Sequence, residues 1–110
     1  MTLITEIFTA SDEIKNNRTV QDVLNHTVTE LGELAMEVII DQGKSYKHPG
    51  KDGIIGEAID IIACAVDIIR VHAPELTEED IISIALPKLA KWKDKATEVH
   101  NKRILTTLDV

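Results

Sequence analysis

With 110 residues, the chain is long enough for one compact domain and not for two, so residues 1–110 are read as a single unit. A net charge of −7 argues against a nucleic-acid backbone or an anionic membrane as the main partner. Aromatics are confined to Phe8, Tyr46 and Trp92, so the core must come from Ile, Leu, Val and Ala; the lone Cys64 excludes an intrachain disulfide.

The first predicted element is a short amphipathic helix over 3–15, through Leu3, Ile4, Ile7, Phe8 and Ile14, broken by Asn16-Asn17. Its start, MTLITEIFTA, lacks a basic region and carries Glu6, so it does not read as a secretory signal, and a cytoplasmic location is expected. Thr19 has the place of an N-cap, with Asp22 imitating a capping box. The second helix is expected over about 20–42, with Gly43 as its stop. GKSYKHPGKDG, residues 43–53, is the clear loop, with Lys44, Lys47 and Lys51 in it. A third helix is expected over 54–72, closed by Pro74. Its stretch Ile54–Ala73 contains Glu57, Asp60, Asp67 and Arg70, too many charges for a membrane span. Thr77 begins the fourth helix, with Glu78, Glu79 and Asp80 in the turn where acids meet the positive helix end. Pro87 is expected to kink this helix or split it, and the run should reach about Arg103. The tail ILTTLDV carries no assignment. No strand pattern is present, so the expected fold is an all-α bundle of four to five helices centred on the second and third.

Those two central helices carry acids where apolar residues dominate. At about 100° per residue, Glu30, Glu33 and Glu37 fall within roughly 60° of arc, and Glu57, Asp60 and Asp67 within roughly 80°, with Cys64 between them. The third helix is otherwise apolar almost all round and should be buried on several sides. Two like charges about 6 Å apart repel by roughly 3 kcal/mol at an effective dielectric of 20, and desolvation adds to that. Arg70 is the only basic residue within the third helix, and the second has none between Arg18 and Lys44, so intrahelical salt bridges cannot neutralise the set. A hard divalent cation can, since Mg²⁺ and Mn²⁺ prefer carboxylate oxygens. One such stripe is most simply a solvated face. Two of them, on the two most apolar helices, point to a cation. A di-iron centre needs Glu-x-x-His, and Val23, Ser45, Ile69 and Thr97 stand three before the four histidines. Zinc lacks a ligand cluster, with one cysteine and scattered histidines.

Glu30-Leu31-Gly32-Glu33-Leu34, followed after a loop by Glu57-Ala58-Ile59-Asp60, resembles the MazG-like all-α nucleoside triphosphate pyrophosphohydrolases, marked by E-x-x-E on one helix and E-x-x-D on the next. The match covers about residues 19–72. The resemblance implies a Mg²⁺-dependent hydrolase, with Mn²⁺ a possible substitute. It would cleave a (d)NTP between the α- and β-phosphates to monophosphate and pyrophosphate, in nucleotide-pool housecleaning. It implies Glu30, Glu33, Glu57 and Asp60 as metal ligands and assembly as a homodimer or dimer of dimers. Glu37 and Asp67, on the same stripes, would be outer ligands or orient a water. Glu30 or Glu33 is the expected acceptor of the attacking water's proton, the two being inseparable by sequence.

Phosphates also call for protein cations. Candidates are the loop lysines and Lys95, Asn101, Lys102 and Arg103, although these do not align cleanly with the family's Lys/Asn/Arg group and also read as solvated surface residues. Trp92 either stacks on a base or anchors the fourth helix in the core, the latter being the simpler expectation. Cys64 is expected to be a packed small residue, with no basic neighbour to activate it. His26 and His72 read as ordinary helix residues. Gly32, opposite the acids, is expected to allow close approach of another helix or subunit, and the apolar third helix points to at least a homodimer. The reading from another class is a non-catalytic helical interaction protein whose acidic stripes bind a basic partner or a structural cation.

Overall fold

The computed structural model describes residues 1–108. Among these the chain is all helical: α1 is Leu3–Glu13, α2 Val20–Asp41, α3 Gly53–His72 and α4 Glu78–Leu108. It divides into two compact units, Met1–Glu75 holding α1 to α3, and the remainder from Leu76 holding α4.

Local chemistry sets the helix ends. The Thr19 side chain accepts from the Asp22 amide at 3.2 Å while the Asp22 carboxylate accepts from the Thr19 amide at 2.9 Å, the full capping box expected there. Before it, Asn17 turns the chain with φ 55°, a conformation that asparagine tolerates. α1 ends two residues before the expected 15, its Ile14 amide donating to the Ser11 carbonyl. α2 stops at Gly43, φ 72°, where the amides of Gly43 and Lys44 donate to the carbonyls of Ile40 and Ile39 in a Schellman pattern. Only a residue without Cβ takes that φ freely.

Within the first unit, α3 is the central element, packed on α2 and also on α1. Phe8, Val23, Cys64 and Val66 form the buried apolar core. Two arginine–aspartate pairs fasten α1 and its linker to α3. Arg18 donates to both carboxylate oxygens of Asp67, at 3.0 and 2.6 Å, and Arg70 to both of Asp12, at 2.9 and 2.7 Å. The Arg70 guanidinium also lies 4.7 Å over the Phe8 ring. The α2–α3 loop is tied back to α2, since Glu37 Oε1 accepts from the Gly50 amide at 2.8 Å.

The expectation that α3 is buried on several sides is corrected by the chain taken alone. Ile55 is 79% exposed, and Ile59 and Ile62 are exposed as well. On α2, Leu24, Val28 and Leu31 are exposed in the same four-then-three spacing. Two helices already packed on one another thus keep an apolar stripe each on their outer faces.

In the second unit, Thr77 and Asp80 repeat the reciprocal capping bonds, at 2.9 and 3.2 Å. Pro87 does not split the helix, which runs unbroken past it. Proline removes one donor, and in a 31-residue run the flanking turns outweigh that local loss. The helix includes residues 104–108 of the unassigned tail; residues 109–110 lie outside the described residues. Trp92 is 71% exposed, which overturns its expected role as a core anchor. It stands on a helix whose own residues offer no concave surface to cover so large a ring.

Candidate metal centre

Glu30 and Glu33, three residues apart, project from one side of α2, and α3 brings Glu57 to them. One carboxylate oxygen from each of Glu30, Glu33 and Glu57 lies within 4.8 Å of the others. Two atoms make this more than a shared face. Glu30 Oε2 and Glu57 Oε2 are buried and accept no hydrogen bond. A buried acceptor without a donor forfeits its hydration with nothing in return, at about 1–3 kcal/mol and more when charged. The folded chain keeps two such atoms, one on each of two residues of the three-carboxylate group.

The electrostatics follow. Desolvation pushes the Glu30 carboxyl above the usual glutamate range, and the charges of Glu33 and Asp60 push it further, with His26 pulling the other way. Glu57 is raised by the same combination, desolvation first, then Glu33, Asp60 and Glu30. Glu33 approaches both neighbours closely, an approach that becomes a hydrogen bond only where one carboxyl keeps its proton. The charges of Glu33 and Asp60 thus raise both Glu30 and Glu57, and of the neighbouring side chains only His26 acts against this, at Glu30.

Asp60, the fourth residue of the motif pair, acts on Glu30 and Glu57 through its charge but stands outside the three-oxygen group. The two acids expected as outer ligands are engaged elsewhere. Glu37 holds the loop through Gly50, where an added Cβ would stand 2.5 Å from Glu37 Oε1. Asp67 is held well below the usual carboxylate range, first by its hydrogen bonds from Arg18 and also by that from Ser11. The cation it needed comes from before α2, not from within a helix, which intrahelical reasoning did not reach.

Cys64 is buried, its thiol pushed up by desolvation and drawn back by a hydrogen bond with Thr27. So little thiolate forms that it is a packing residue near the acids, as expected. Lys95, Asn101, Arg103 and Trp92 all lie exposed on α4, in the second unit. Lys95 and Lys102 both reach Glu98 of their own helix, at 3.9 and 3.3 Å. The loop residues Lys44, Lys47 and Lys51 are exposed.

One contact was missed. His26 Nε2 lies 3.1 Å from Glu30 Oε1, one turn earlier on α2. The four-residue spacing was the available signal, since side chains at i and i+4 meet on a helix. Arg18 was missed as a partner of Asp67 because the two are 49 residues apart in sequence.

The donor set is all oxygen and all anionic, and it includes two buried atoms without donors. That fits a hard divalent cation and not a soft or imidazole-seeking one. No family model matches the chain, and no curated protein or solved structure matches it.

Proposed function

We propose that the chain is a Mg²⁺-dependent nucleoside triphosphate pyrophosphohydrolase, cleaving (d)NTP to (d)NMP and pyrophosphate. The observation that carries this reading is the pair of buried, unpartnered oxygens of Glu30 and Glu57, gathered with Glu33 into one group. These are three of the four acids of the E-x-x-E and E-x-x-D motifs. Glu30, Glu33 and Glu57 would hold the cation, with Asp60 adding charge beside them. Bound there, Mg²⁺, or Mn²⁺ in its place, supplies charge neutralisation for the phosphates and a lowered pKa for a coordinated water.

The remaining roles belong to the chain. Glu30 or Glu33 takes the proton of the attacking water. The acids exclude a free triphosphate by repulsion, so substrate enters only with its charge offset. A second copy of the chain would cover the stripes Leu24, Val28, Leu31 and Ile55, Ile59, Ile62, giving the homodimer or dimer of dimers. Nucleotide-pool housecleaning is the corresponding physiological role. Among the described residues no helix is long and apolar enough to cross a membrane, in keeping with a nucleotide in solution as substrate.

The test is product analysis with Mg²⁺ and a panel of (d)NTPs. Monophosphate and pyrophosphate, abolished by EDTA, are expected. Diphosphate with free phosphate would place the scissile bond elsewhere. No product from any nucleotide would favour a non-catalytic cation-binding or partner-binding role for the same acids.

A further inference from the structure

His26 is not part of either acidic motif, yet its side chain reaches the cluster directly from outside it. Its Nε2 stands 3.1 Å from Glu30 Oε1, and Glu30 Oε2 is the buried oxygen without a donor. The two oxygens of one carboxylate are thereby sorted. Oε1 meets a side chain that is 63% exposed, while Oε2 is buried, and one of the two lies within 4.8 Å of oxygens of Glu33 and Glu57.

A glutamate side chain has three rotatable bonds, and an isolated one beside two other acids would swing away from them. The 3.1 Å contact with His26 supplies a restraint, the imidazole standing against Oε1 from one turn earlier on the helix. A mere surface pair at i, i+4 would join two exposed groups, but the Glu30 side chain is only 13% exposed. From this geometry we infer that His26 is a positioning residue for the cation site: it holds Glu30 in the rotamer that presents Oε2 to the metal. The inference rests on the carboxylates being a divalent-cation site.

Such outer partners of metal-binding carboxylates are worth roughly 10- to 100-fold in affinity. The experiment is a titration of the full chain with Mn²⁺ alone, free Mn²⁺ being read by electron paramagnetic resonance, with circular dichroism to verify the fold. Wild type, His26→Leu, His26→Gln and Glu33→Gln are compared. Glutamine places its Nε2 near that of histidine and can donate the same bond. The expected result is about tenfold weaker Mn²⁺ binding by the Leu variant, with most of the affinity restored in the Gln variant. Equal affinity of wild type and His26→Leu, with Glu33→Gln clearly weakened, overturns the role of His26 and leaves the cation site standing. Equal loss in the Leu and Gln variants also overturns it, since donation would then be irrelevant. No Mn²⁺ binding by the wild type removes the cation site and this inference together.

Discussion

Two stations on α3, ten residues apart, hold acids in opposite conditions. At Asp67 the carboxylate receives three hydrogen bonds, two from Arg18 and one from Ser11, and its pKa is drawn down. At Glu57 an oxygen is buried without any, and the carboxyl is pushed up. The first is a completed structural joint, fastening the α1–α2 linker to α3. The second is incomplete in a single chain without a cation, although the fold had the means to complete it. What separates the two acids is therefore the presence of a partner, not the place on the stripe.

The comparison is broken most severely at the cluster. Glu33→Gln keeps the shape and removes, on the proposed reading, a cation-holding oxygen and one of two candidate proton acceptors, so turnover should fall by roughly 10²- to 10⁴-fold. The fold should survive, because the substitution also removes repulsion. Steady-state release of pyrophosphate, beside a thermal melt, checks both halves. Full activity in this variant would end the metal-ligand assignment.

At the completed joint the effects should exchange. Asp67→Asn leaves Arg18 facing a neutral amide, and stability should drop by about 2 kcal/mol, below the range for a fully buried pair because solvent reaches both side chains. Urea denaturation in EDTA measures this. Mn²⁺ affinity should hardly change, and a large loss of it would mean that Asp67 reaches the site after all.

The two stations also predict opposite pH behaviour. Asp67 has a lowered folded pKa, so its stabilisation is present above the ordinary aspartate value of 3.8 and is lost as pH falls through the folded value. Glu30 and Glu57 have raised folded values, so the metal-free protein binds more protons folded than unfolded. It should lose stability as pH rises from the ordinary 4.5 through those folded values. Melts in EDTA should thus rise with pH up to about 3.8 and decline above about 4.5. Glu57→Gln should flatten the decline, and saturating Mg²⁺ should reverse it in the wild type only. A decline that persists unchanged in Glu57→Gln would assign it to other groups.

The sequence was most legible where chemistry is local. Thr19 with Asp22, Gly43 and Thr77 with Asp80 set helix ends within a few residues, and the structure keeps all three. Glu30, Glu33 and Glu57 were legible because helical spacing and apolar surroundings together specify a face. What was not legible needed distant contacts. Nothing local to Asp67 announces Arg18, and nothing in α2 announces that Glu37 will turn to the Gly50 amide. For the same reason Glu37 and Asp67 were read as outer ligands or as orienting a water, when packing had given each a partner of its own. Trp92 was misjudged because hydrophobic size was taken for burial, and a single chain has more apolar surface than it covers.

The smallest expected effect tests that uncovered surface. Gly32 lies in the middle of α2, where a glycine weakens the helix by about 1 kcal/mol relative to alanine. Within the described chain nothing explains it, since an added Cβ would meet nothing within 4 Å. It sits among exposed Val28, Leu31 and Met36, where a second copy of α2 could approach more closely for want of a side chain. Gly32→Ala should then act in opposite senses on two measurements. At concentrations too low for association, the monomer should gain about 1 kcal/mol, the intrinsic helix term. By sedimentation equilibrium the dimer should weaken, because the added methyl separates the helices. A monomer gain with unchanged association would move the interface away from this face of α2 and leave the α3 stripe of Ile55, Ile59 and Ile62 as the surface that a second copy covers.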